Sequence, residues 1–126
     1  MGVRKSVFRL TPTEQDNFLR AVVLLKNTMV APGVSRYDQF VAIHRYILRV
    51  DSPGTTIPRI IDYGHGAAAF TAWHRYYLLS FEQALQEVSG DPTVMLPYWD
   101  WTDHDGTRDV LFQDDFLGPK GSSGSG

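Results

Sequence analysis

Apolar residues recur along this chain mainly at helical spacing. Thr11-Pro12-Thr13-Glu14 opens the first such run. Thr11 suits an N-cap, Pro12 suits the first helical position, and Glu14 completes a Thr-x-x-Glu capping box. Phe18, Val22, Leu25 and Met29 follow on one face and predict a helix over 12–30, ended by Ala31-Pro32-Gly33. Ser35 can cap a second helix over 36–50, with Tyr37, Phe40, Val41, Ile47 and Leu48 as its apolar stripe. His44 falls within that stripe, between Phe40 and Ile47, and is directed inward. A third helix over 72–88 places His74, Leu78, Phe81 and Leu85 on one face and stops at Ser89-Gly90-Asp91-Pro92. Residues 6–10 alternate polar and apolar and predict a short edge strand. The stretch 51–66, rich in Pro, Gly and Thr, reads as a loop, and 97–116 is aromatic without clear periodicity. The pattern is all-α.

Composition narrows the class without changing that picture. With 126 residues, 43% hydrophobic and 21% charged, the chain suits one modest globular domain. Aromatic residues are abundant, with seven Phe, six Tyr and three Trp. A net charge of -2 and no basic run give no footprint for nucleic acid or an anionic membrane as partner. The absence of cysteine excludes disulfides, thiolate metal sites and Cys nucleophiles. The opening Met1-Gly2-Val3-Arg4-Lys5 leads into mixed polar sequence with no secretory or membrane-spanning apolar run. A soluble protein is expected, cytoplasmic or exported with a partner. Residues 119–126, Pro-Lys-Gly-Ser-Ser-Gly-Ser-Gly, have the composition of a flexible tail.

Four histidines carry the candidate chemistry. His44 and His74 face inward from two predicted helices. His65 lies in Tyr63-Gly64-His65-Gly66, where glycines allow close backbone approach to a site. A single inward His is ordinarily a core residue bonded to a neighbour, and two helices each contributing one shift that balance. A buried imidazole left without partners costs about 1–3 kcal/mol, and one shared metal ion satisfies three at once. His104, within Thr102-Asp103-His104-Asp105-Gly106-Thr107, reads as a solvated turn residue with no metal role. Three neutral imidazoles without thiolate suit copper, which the Irving–Williams order favours, or zinc. A three-His zinc site with an open fourth position would be hydrolytic. Spacing alone leaves both metals open.

The segment His65-Gly66-Ala67-Ala68-Ala69-Phe70-Thr71-Ala72-Trp73-His74-Arg75, continuing into Phe81-Glu82 and then Leu96-Pro97-Tyr98-Trp99-Asp100-Trp101, resembles the copper-A region of tyrosinases. There a His precedes a second His by nine residues. Phe-Leu-Pro-Trp leads into the second, and Arg, Phe-Glu and Pro-Tyr-Trp-Asp-Trp follow. The helix bearing Asp38, Phe40 and His44 is similar to the one that carries the family's first ligand. The similarity spans roughly 3–118, and its Val3-Arg4-Lys5 opening and Asp115-Phe116-Leu117-Gly118 close are most like actinobacterial members. One departure is Thr71-Ala72 in place of Leu-Pro before Trp73-His74.

This resemblance implies a type 3 copper protein. Its residues 1–118 would form a copper-A half-domain, half of a four-helix bundle, ahead of the tail 119–126. His44, His65 and His74 would bind copper, Phe70 would pack near the ion, and Trp73, Phe81 and Trp101 would support the site. In that family two copper ions, each held by three histidines, use O2 to hydroxylate monophenols at the ortho position and to oxidise o-diphenols to o-quinones, the chemistry of melanin formation. Beyond these three only His104 remains. A phenolic substrate and O2 therefore require a complementary copper-B half, or a second copy of the chain, and the chain alone is expected to be inactive. It is also expected to expose Phe40, Ile47, Leu78 and Phe81, or their neighbours, to such a partner. Two other classes stay open: a mononuclear copper-binding module without oxidase activity, and the three-His zinc site.

Overall fold

The computed structural model describes residues 2–51, 59–62, 64–65 and 68–118. Four helices run in the order α1 (Pro12–Asn27), α2 (Arg36–Tyr46), α3 (Phe70–Ser89) and α4 (His104–Leu111). Strands occur only as two short antiparallel pairs among the described residues. The first joins β1 (Met29–Ala31) to β2 (Val34–Ser35), the second β3 (Leu48–Asp51) to β4 (Arg59–Asp62). The all-α class holds.

The caps form as the local chemistry dictates. The Thr11 backbone N–H donates to Glu14 Oε2 (2.9 Å), and the Glu14 N–H returns a bond to Thr11 Oγ1 (3.3 Å). Ser35 and Asp38 make the same reciprocal pair at the start of α2, at 2.9 and 3.1 Å. Each box satisfies helix-end donors that have no partner within the helix. Glu14 also takes a bond and an ion pair from Lys5. The Lys5 ammonium and the Thr11 bonds outweigh desolvation and hold the Glu14 carboxyl near a pKa of about 2, below its ordinary 4.5. A carboxyl depressed in the folded state stabilises fully above its ordinary value, and loses that contribution as pH falls through the folded value. Glu14→Gln should therefore lower the melting temperature at neutral pH, with the deficit shrinking below pH 4.5 and closing near pH 2. A deficit unchanged down to pH 2, measured by thermal melts, would contradict this.

Several boundaries differ from the sequence expectation. α1 ends at Asn27 because Met29–Ala31 turns back through Pro32-Gly33 to pair with Val34–Ser35. Gly33 has φ 72°, a value glycine adopts at no steric cost. α2 ends at Tyr46, and β3 pairs with β4 from Leu48↔Asp62 to Asp51↔Arg59. Part of the expected 51–66 loop is thus a strand. Residues 52–58 lie outside the described set. α3 begins at Phe70 and ends at Ser89, with Gly90 at φ 66° as its left-handed terminator. The expected edge strand at 6–10 is a 3-10 turn at Val7–Arg9 beside one isolated bridge, Ser6 to Tyr98. The aromatic stretch 97–116 contains α4, whose N-cap Asp103 accepts from the Gly106 N–H at 3.2 Å. The tail 119–126 lies outside the described residues.

The chain divides into two compact units, Met1–Leu24 with Leu85–Gly126, and Leu25–Ala84. In the first, Val7, Ala21, Leu85, Val94 and Phe116 are buried, and the Phe18 and Phe116 rings meet at 6.4 Å. In the second, α2 packs on α3 through edge-to-face aromatic pairs. Tyr37 meets Phe81 at 6.0 Å, Phe40 meets Phe81 at 5.1 Å, and Phe40 meets Tyr77 at 5.9 Å. Numbers rise along α2 as they fall along α3, so the two helices run antiparallel. Such pairs add about 0.5–1.5 kcal/mol each beyond the area they bury. The Tyr77 hydroxyl donates to the Phe40 carbonyl at 3.0 Å and locks the pair in register. The contact stripe on α3 therefore runs through Tyr77, while Val41 and Leu78, expected inside, are exposed.

That register also revises the expected surface. Ile47 is buried, and Phe40 and Phe81 are half-buried against one another. Leu78 is exposed as expected of that surface, and so are the neighbours Val41, Ile43 and Tyr46 on α2 and Phe70, Tyr76 and Leu79 on α3. Among the described residues no helix is long and apolar enough to cross a membrane.

Candidate metal centre

Three elements of the second unit bring His44, His65 and His74 together. α2 supplies His44 two turns beyond Tyr37, on the face that carries Phe40. α3 supplies His74 near its start, two turns before Phe81. Antiparallel packing sets these two positions opposite each other. The β3–β4 hairpin then returns the chain from the end of α2, and His65 follows three residues after Asp62, the last residue of β4.

One ligand atom from each of the three histidines lies within 4.8 Å of the others. Ring centroids are 5.3 Å apart for His44–His65, 5.6 Å for His44–His74 and 5.0 Å for His65–His74. The His74 Nδ1–H donates to the Phe70 carbonyl one turn back, at 2.9 Å, which leaves Nε2 with the free lone pair. His65 Nδ1 lies 3.1 Å from Asp62 Oδ1, so its Nε2 is likewise free to ligate. Partial desolvation works to raise the Asp62 pKa, but bonds from the His65 and Gly64 amides and the His65 ring outweigh it and hold the carboxyl below its ordinary range. Three imidazoles with no thiolate and no carboxylate in the converging set fit a copper ion.

Phe70, Trp73 and Tyr77 pack against the three rings. Phe70 lies 4.3 Å from His74, and Trp73 lies 4.8 Å from His74 and 6.0 Å from His44. Trp73 stacks on Tyr77 at 5.0 Å, and Tyr77 reaches within 5.6 Å of His44. Burial, then the neighbouring Tyr37, pushes the Tyr77 phenol above its ordinary range and keeps it a neutral donor. Phe81 lies deeper along the helix pair, against Tyr37 and Phe40. Trp101, expected to support the site, belongs to the other unit and is 72% exposed. His104 opens α4, also in the other unit, and its side chain is outside the described set.

Gly64 is one of the two glycines flanking His65, and it is buried. A Cβ there would clash with Ile47 Cγ2 and sit 3.0 Å from Ile47 Cδ1. Ile47 caps the end of α2 and is 7% exposed, so it has little room to yield. Gly64→Ala should destabilise the fold by about 1–3 kcal/mol through overpacking. It should also weaken metal binding by roughly tenfold, as displaced supporting groups do. An unchanged melting temperature and unchanged copper affinity would show that this approach does not matter. Gly66 lies outside the described residues. Asp62 and Tyr77 were not singled out by sequence reasoning. The available signals were the Asp62-x-Gly64 step of an Asx turn and the four-residue step from Trp73 to Tyr77 to Phe81.

Residues 34–125 match the family model for the common central domain of tyrosinase. The chain is 40% identical over 122 residues to grixazone synthase of Streptomyces griseus, covering 97% of this chain and 37% of that protein. It is 40% identical over 126 residues to the tyrosinase of Streptomyces antibioticus, covering 100% of this chain and 41% of that one. Against the tyrosinase of Streptomyces glaucescens the identity is 41% over 123 residues, covering 98% and 40% respectively. The chain thus spans about two-fifths of the length of these curated relatives.

Proposed function

The chain belongs to the tyrosinase family, and on that premise we propose that it is the copper-A half of a type 3 copper phenol oxidase, with His44, His65 and His74 as its copper ligands. The observation that carries this reading is the convergence of the three imidazoles within 4.8 Å, from α2, the segment after β4 and α3. Residues 1–118 make up the half-domain, and 119–126 a tail. The complete site takes a small phenol and O2. Copper, when bound, supplies the redox chemistry that converts monophenols to o-diphenols and these to o-quinones.

The chain's own residues hold and shape the site. Phe70 and Asp62 orient two imidazoles through their Nδ1 atoms, and hydrogen bonds to the nitrogen away from the metal fix both tautomer and direction. Trp73 and Tyr77 back His44 and His74 with apolar surface and limit water on that side. The second histidine triad comes from a copper-B half, supported by the greater length of the relatives. The count of four histidines favours a second reading for the chain by itself, a mononuclear copper-binding module without oxidase activity.

Metal analysis of the purified chain loaded with equimolar copper and zinc tests the site. One copper per chain and negligible zinc is the expected result. Zinc in preference to copper would overturn the copper reading.

A further inference from the structure

We propose that Asp62 is a positioning residue for the metal centre. Its carboxylate fixes His65 in the Nδ1–H tautomer and makes His65 Nε2 a stronger donor to Cu(II) than to Cu(I). The inference rests on His65 belonging to the copper-binding triad.

Asp62 Oδ1 collects three donors from the loop that follows it: the Gly64 amide at 3.0 Å, the His65 amide at 2.7 Å and His65 Nδ1 at 3.1 Å. The two amide bonds seat the carboxylate on the loop backbone, and the Leu48↔Asp62 pairing seats the residue at the end of the hairpin. The imidazole thus meets an acceptor whose position is set independently of any metal. A neutral imidazole carries one N–H. With that proton held at Nδ1, the ligating lone pair is committed to Nε2.

His74 reaches the same tautomer by a different route, because its Nδ1 is anchored by the neutral Phe70 carbonyl at 2.9 Å. The two anchors differ in charge. A carboxylate draws the Nδ1 proton toward itself and leaves more electron density on Nε2, which raises ligand basicity. A more basic nitrogen favours the more highly charged ion. Asp62 therefore biases the centre toward Cu(II), and the Phe70 carbonyl gives His74 no comparable bias.

The test uses the full chain as wild type and as Asp62→Asn, Asp62→Ala, His65→Ala and His74→Ala, each checked for helix content by circular dichroism. Cu(II) and Cu(I) affinities are measured separately by competition with chelators, together with the Cu(II) electron paramagnetic resonance spectrum. Asp62→Asn keeps an acceptor oxygen for the loop amides and the ring and removes only the charge. It should lose about tenfold more Cu(II) than Cu(I) affinity, equivalent to a rise of about 59 mV in reduction potential, with altered Cu(II) hyperfine splitting. Asp62→Ala should lose Cu(II) affinity by about 100-fold. The proposal is overturned if both Asp62 variants stay within about twofold of wild type while His65→Ala and His74→Ala lose copper. Equal loss of both oxidation states in Asp62→Asn overturns it too, since a purely structural contact would act that way. If His65→Ala and His74→Ala bind copper as wild type does, the triad assignment fails and the role of Asp62 fails with it.

Discussion

Alanine in place of His44, His65 or His74 should abolish stoichiometric copper binding, with affinity falling by about 100-fold or more in each case. Loss of a supporting group already costs about 10–100-fold, and loss of a ligand removes a bond to the ion itself. The three ligand atoms converge within 4.8 Å, and no other His, Asp or Glu among the described residues joins that group. His44 comes from α2, His74 from α3 and His65 from the segment after β4, and no further ligand in the converging group stands ready to replace a lost one. His44 also packs against Trp73 and Tyr77, which makes His44→Ala the variant whose apo fold must be checked first. His104→Ala should hold copper like the wild type. Copper per chain after gel filtration decides the matter, and equal loss from His104→Ala would sink the assignment.

Copper-loaded chain on its own should not oxidise catechol above the rate of free copper, and adding a fragment with the second histidine triad should restore turnover to ~1 s⁻¹ or more, the lower range for enzymes. Four histidines cannot supply two triads. On α2 and α3, Val41, Ile43, Tyr46, Tyr76 and Leu79 are also all exposed. Burying each such side chain contributes roughly 1.5–3 kcal/mol, and together they rival the ~5–15 kcal/mol that holds a typical domain folded. Sedimentation should show self-association that the second fragment displaces. A preparation shown by mass spectrometry to contain only this chain, yet fully active, would refute the need for a copper-B half. Pairing of two copies would then be the account.

The helices could be read locally because their information is local. Thr11 with Glu14, and Ser35 with Asp38, are caps written within four residues, and both form. The inward direction of His44 and His74 follows from their place among Phe40, Ile47 and Phe81, and the observed helix pair directs them to one group. The resemblance through Trp73-His74-Arg75 and Pro97-Tyr98-Trp99-Asp100-Trp101 points to the family from sequence alone.

Other features depended on partners distant in the chain. Arg59–Asp62 is too short and too mixed to announce itself as a strand, and it becomes one only because Leu48–Asp51 lies beside it. Helical periodicity puts Leu78 on the inward stripe of α3, whereas the residue turned toward α2 is Tyr77, about 100° away around the helix. Edge-to-face packing with Phe40 and the Tyr77–Phe40 hydrogen bond select Tyr77. The closeness of Gly64 to Ile47 and the three bonds onto Asp62 are likewise invisible in spacing, yet they bring His65 to the other two histidines. Periodicity and caps act within a turn or two of helix, so the sequence by itself determined the helices and the ligand candidates. The order of packing, the hairpin and the anchoring of each imidazole arise from contacts between elements, and only the tertiary structure decided them.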